Sequence, residues 1–127
     1  MTILIVDDDP ISVLITKKLI EHFRMGHQTS TAANGKEALE IFSKCKTNST
    51  KMPDVIFLDL DMPIMNGFEF LETLQLQYRS EINNVNVIIL TSSIDPNDIK
   101  RAEQFGVSNF LNKPITEGKL HSVLKFG

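Results

Sequence analysis

Short runs of branched, apolar residues recur along this chain, and helically spaced stretches separate them. Thr2–Val6 (TILIV), Val55–Leu58 (VIFL) and Val87–Leu90 (VIIL) are the clearest runs, Gln28–Ala32 (QTSTA) reads as a weaker edge strand, and Asn109–Leu111 as a short last one. Runs with no polar face predict strands covered on both sides, which is the habit of parallel sheets. Parallel neighbours need crossover connections, and the intervening helical stretches supply them. The pattern predicts an α/β fold of five strands alternating with five helices.

Local signals punctuate the helices. Asp9-Pro10 offers a cap and a first-position proline, followed by Ile11, Leu14, Ile15, Leu19 and Phe23 as an apolar stripe expected to face the core, with Gly26 ending the helix. Asn34 to Glu37 resembles a capping box ahead of Ala38, Phe42 and Cys45, and Cys45–Lys51 reads as a polar loop. Asn66-Gly67 breaks the chain before Phe68, Leu71, Leu74 and Tyr78. Asp95-Pro96 opens a helix through Ile99, Ala102 and Phe105 that Gly106 ends, and Thr116 caps a last one bearing Leu120, Val123 and Leu124.

At 127 residues and 42% apolar, the chain fits one domain over residues 1–127 with a real core. The net charge of -3, with scattered Lys and Arg, argues against a nucleic-acid partner. Cys45 is the single cysteine, so no disulfide framework exists and a reducing cytoplasm is expected. No apolar run approaches the roughly 20 residues of a membrane span.

The chemistry gathers after the strands, where open α/β sheets bind ligands. Asp7, Asp8 and Asp9 follow the first strand, Asp59 and Asp61 the third, Thr91 and Ser92 the fourth, Asn112 and Lys113 the fifth. Two carboxylates ~4 Å apart repel by ~4 kcal/mol at an effective dielectric of ~20, so converging aspartates call for a cation or protons. Oxygen-only ligands at a phosphate-handling site favour Mg2+. Asp9 reads as a helix cap. His22, His27 and His121 show no metal-ligand spacing and are expected at the surface. Asp59, after four apolar residues, is the candidate nucleophile for an acyl phosphate. Lys113 would add positive charge and Thr91 a hydroxyl donor to the phosphoryl group.

The segments ILIVDDDP, VIFLDLDMPIMNG, VIILTSS and FLNKP resemble, in order and spacing, the receiver domains of response regulators in two-component signalling, and the resemblance covers essentially the whole chain. It implies a flavodoxin-like (βα)5 doubly wound sheet of order 2-1-3-4-5. It also implies Asp59 as phosphoacceptor and Mg2+ held by the acidic pair Asp7 and Asp8, with Asp8 a direct ligand beside the Asp59 carboxylate and the Asp61 main-chain carbonyl. Thr91 would be the switch hydroxyl, Lys113 the phosphoryl-pairing lysine ahead of a cis Lys113-Pro114 bond, and Phe110 the switch aromatic. Asp61 would influence hydrolysis of the phosphoryl group.

The implied partners are a sensor histidine kinase or histidine phosphotransfer protein upstream and a protein target downstream. The target would meet the face made by the fourth helix, fifth strand and fifth helix, including Ile94, Ile99 and Phe110. The expected chemistry is confined to the chain's own aspartate, and a stand-alone monomeric regulator is expected. A haloacid-dehalogenase-like phosphatase is the alternative, since Asp59-Leu60-Asp61, Thr91 and Lys113 fit its pattern, but its nucleophile lies near the N-terminus and its remaining acids follow the lysine. A flavodoxin-like cofactor binder would want Ser, Thr and Gly where this chain has three aspartates.

Overall fold

The computed structural model describes residues 1–22 and 28–124. The chain order is β1 (Thr2–Val6), α1 (Pro10–His22), β2 (Gln28–Ala32), α2 (Gly35–Thr47), β3 (Val55–Asp59), α3 (Gly67–Gln77), α4 (Arg79–Ile82), β4 (Asn86–Thr91), α5 (Pro96–Glu103), β5 (Asn109–Asn112) and α6 (Glu117–Val123). All strands pair in parallel in the order β2-β1-β3-β4-β5, as the resemblance implied. The short α4 was not anticipated, so the expected fourth and fifth helices are α5 and α6. Helix α2 also runs to Thr47, into the segment expected to be loop.

The strands' side chains alternate between two cores, as the pleat requires. Ile3, Ile5, Phe57, Ile88 and Leu90 face α1 and α6, meeting Ile20 and Leu120. Leu4, Val6, Ile56, Leu58 and Ile89 face the other layer, where Phe42, Phe70, Leu71, Leu74 and Ala102 come from α2, α3 and α5. Phe42, Phe57 and Phe70 are fully buried. Burying an aromatic or aliphatic side chain is worth about 1.5–3 kcal/mol, so the two cores dominate the fold's stability.

The apolar stripe expected on α1 meets the core at Leu19, which packs against it partly buried, and is otherwise a correction. Ile11 is 69% exposed, Leu14 54% and Ile15 37%, whereas Ser12, Thr16 and Ile20 point inward. Small hydroxyl residues let the helix lie close to the sheet, and Thr16 Oγ1 is satisfied by the Ser12 carbonyl at 2.8 Å, so its burial costs little. Phe23, Gly26 and His27, invoked for the end of this helix and the surface, lie outside the described residues.

Most of the expected caps formed. Asn34 accepts from the Glu37 amide at 2.9 Å, although the Glu37 carboxylate returns to the Ala33 amide at 3.1 Å rather than to Asn34. Asp95 accepts from the Asn97 amide at 2.8 Å, and Thr116 from the Lys119 amide at 3.2 Å. Gly106, with φ +77°, follows α5 in the left-handed conformation that glycine adopts without cost. No helix among the described residues is long and apolar enough to cross a membrane.

Candidate functional site

The sheet register brings the candidate residues to one edge. Val6 pairs with Leu58, Asp59 with Leu90 and Thr91 with Asn112, so Asp7 and Asp59 leave the sheet at one level, Thr91 one residue beyond it and Lys113 two. Parallel strands end together here, and their terminal side chains converge without any sequence proximity.

Carboxylate oxygens of Asp7, Asp8 and Asp59 lie within 4.8 Å of one another. Asp7 and Asp59 are buried, whereas Asp8 is exposed at the mouth. Lys113 Nζ sits 2.9 Å from Asp7 Oδ2 and 3.7 Å from Asp59 Oδ2. The other Asp7 oxygen accepts from the Asp9 amide at 2.9 Å, and Asp59 Oδ1 from the Asp61 amide at 3.2 Å. Three carboxylates against one ammonium leave a surplus of negative charge. Burial pushes the Asp59 carboxyl up to about 7 from its ordinary 3.8; the Lys113 ammonium opposes this, and the Asp7 carboxylate adds to it. Burial alone would lower the Lys113 pKa, but its hydrogen bond and charge contact with Asp7, with Asp59 and Asp9 beyond, raise it instead.

The donor set is all oxygen, which suits a hard divalent cation. A buried carboxyl that tends to keep its proton at neutral pH also marks a place where positive charge is lacking. Asp7, Asp8 and Asp59 therefore fit Mg2+. The Asp61 carboxylate is not in this trio, and the residue faces solvent. Asp9 does what a helix cap does, accepting from the Ile11 amide at 3.0 Å.

Thr91 stands at the end of β4, but its hydroxyl is closed on its own loop, donating to the Ser93 carbonyl at 2.9 Å and accepting from the Ser93 amide at 3.2 Å. Phe110 is half-buried against the core that also holds Ala102 and Val107. The Lys113-Pro114 bond is cis. His22 lies away from the site at the surface, 3.4 Å from Glu117, and His121 is exposed.

Sequence reasoning missed how tightly the loop after β3 is built. Asn66 and Glu69 close a full capping box, with reciprocal bonds of 2.9 and 3.1 Å, so α3 starts at Gly67. The Gly67 amide donates to the Leu60 carbonyl at 3.0 Å, and a Cβ on Gly67 would stand 2.8 Å from the Asp59 carbonyl oxygen. The Asn-x-x-Glu spacing was the available signal for this start. Ile64 has φ +71°, and the Met65 amide bonds the Pro63 carbonyl at 2.8 Å across it, a strained three-residue turn for a β-branched residue.

The sequence profile of the response regulator receiver domain matches residues 3–125. The chain belongs to this family. Its place in two-component signalling follows, and the match decides against the phosphatase alternative. This receiver domain is 33% identical over 125 residues to two-component response regulator 24 of Arabidopsis thaliana, covering 98% of this chain and 81% of that one. It is 27% identical over 124 residues to the sensory/regulatory protein RpfC of Xanthomonas campestris, where the match covers 98% of this chain and 16% of that much longer one. A two-component response regulator from Cytophaga hutchinsonii superposes with a TM-score of 0.85 at 25% identity, covering 96% of this chain and 92% of its own.

Proposed function

We propose that this receiver domain takes a phosphoryl group from a phosphohistidine donor onto Asp59, and that the modified site changes its contacts with a downstream protein. The observation that carries the reading is the buried Asp59 carboxylate, with Lys113 Nζ 3.7 Å away and two further carboxylates beside it. An Asp59 oxygen attacks phosphorus, and the bond to the donor's nitrogen breaks with its electron pair remaining on nitrogen. Lys113 turns from Asp7 towards the incoming phosphoryl oxygens. Thr91 gives up Ser93 and donates its hydroxyl to one of them. Asp8, Asp59 and the Asp61 carbonyl, with Asp7 in support, would hold Mg2+, which when bound would supply further positive charge to the phosphoryl group. The chain acts only on its own aspartate.

The added charge of roughly -1.5 to -2 is then read through the segment after Thr91. That segment leads directly into α5, which buries only Ala102. Helix α5 is tethered to α3 by Arg101, 4.3 Å over the Phe68 ring, and just past its end by Phe105, whose ring lies 6.4 Å from that of Phe68. An element with so little buried surface shifts easily between two arrangements, and α5, β5 and α6 with Ile94, Ile99 and Phe110 form the output face. The donor, a histidine kinase or histidine phosphotransfer protein, meets the rim at the start of α1, where exposed Ile11 and Ile15 line a groove of about 320 Å3 that reaches Lys113.

The test compares Ile15→Asp with wild type, using a phosphorylated histidine phosphotransfer protein and, separately, acetyl phosphate. The expected result is label on Asp59 from both donors in wild type, and from acetyl phosphate alone in the variant. Equal loss with both donors would remove the docking role, and no label on wild type from either would remove the reading.

A further inference from the structure

Lys119 carries a contact pattern that its place in α6 does not account for. With Thr116 as the cap, Lys119 is the third residue of the helix, the position where a Thr-x-x-Glu capping box puts an acid. A cation in a first turn also opposes the helix dipole, so the local energetics disfavour lysine here. The Lys119 side chain turns away from the helix. Its Nζ donates to the Asn112 carbonyl at 2.9 Å and to the Pro114 carbonyl at 3.1 Å. Those two carbonyls bracket Lys113.

The Lys113 amide is held as well, donating to the Thr91 carbonyl at 2.8 Å. The backbone around Lys113 is therefore pinned from β4 on one side and by a single ammonium on the carbonyls of the residues before and after it, Asn112 and Pro114. Lysine is a long, flexible side chain, and its Nζ can be placed between Asp7 and Asp59 only if its Cα is fixed. From this geometry we infer that Lys119 is a positioning residue for Lys113: it locks the β5–α6 loop so that the Lys113 ammonium is delivered to the Asp59 site. The inference rests on the reading of Asp59 as phosphoacceptor.

The experiment uses Lys119→Gln, Lys119→Arg and the same Lys119→Gln change in a Lys113→Ala background. Glutamine removes the cationic clamp but can close the capping box on the Thr116 amide, so the fold is kept. The measurements are melting temperature and the initial rate of Asp59 phosphorylation by acetyl phosphate with Mg2+. Lys119→Gln is expected to hold or raise the melting temperature while lowering the rate about tenfold, the lower end of what losing a supporting outer contact costs. Lys119→Arg should restore most of the rate, and in the Lys113→Ala background Lys119→Gln should cost nothing further. A rate unchanged by Lys119→Gln, or lowered by the same factor with and without Lys113, would overturn the positioning role. Wild type that takes no phosphoryl group would defeat the Asp59 reading itself, a result distinct from either of these.

Discussion

Lys113 is bound to Asp7 more closely than to Asp59, at 2.9 Å against 3.7 Å. The Asp7 side chain is completely buried, so its charge depends on this one ammonium and on the Asp9 amide. The lysine therefore supports the resting site before it serves any incoming phosphoryl group.

Lys113→Met should cost about 3 kcal/mol of stability in metal-free protein at pH 7, because it strands a buried carboxylate. Mg2+ should narrow the gap by supplying the missing positive charge. Urea denaturation with and without the ion measures both; a loss below about 0.5 kcal/mol, within the range of an exposed pair, would contradict the account.

Asp59 sets a pH dependence of definite sign. Its folded pKa of about 7 lies above the ordinary 3.8, so the folded state holds this proton more tightly than the unfolded chain. The resulting stabilisation is fully present below pH 3.8 and is lost as pH rises through about 7. Asp59→Asn has no such proton. In metal-free protein at pH 8 it should be more stable than wild type by on the order of 1 kcal/mol, or about 4 °C in melting temperature. The difference should shrink towards pH 4 in thermal melts across that range.

Two substitutions in the β3–α3 loop should act in opposite directions. Ile64→Gly relieves the left-handed conformation and should stabilise by about 0.5 kcal/mol, the cost of that conformation less the added freedom of the unfolded chain. Gly67→Ala drives a methyl group against the Asp59 carbonyl and should destabilise by about 2 kcal/mol while slowing phosphorylation. Denaturation midpoints and phosphorylation rates separate these effects, since only Gly67→Ala displaces the backbone of the acceptor.

Much of this was legible in the sequence because parallel strands announce themselves by composition. VIFL and VIIL have no polar face, and the residue after each lands at the functional edge. Asp7, Asp8, Asp59 and Lys113 converge as their positions implied, and Asp95 and Thr116 cap the helices they precede. Helix α1 was misread because spacing finds a stripe but not its direction. Ile11, Leu14 and Ile15 are periodic, yet Ser12 and Thr16 face the sheet because close packing there demands small side chains. The Lys119 clamp and the Ile64 turn were hidden for a different reason: one depends on loop carbonyls and the other on a backbone angle, and neither leaves a residue pattern. The order of the sheet came from family resemblance, since alternation alone fits several windings.

The most direct test of Asp59 as a magnesium-dependent phosphoacceptor is intact mass after incubation with acetyl phosphate and Mg2+, beside Asp59→Asn and a chelator control. A single phosphoryl adduct on wild type, labile to base and absent from both controls, is the predicted result. An adduct that persists in Asp59→Asn, or that forms equally in chelator, would contradict it.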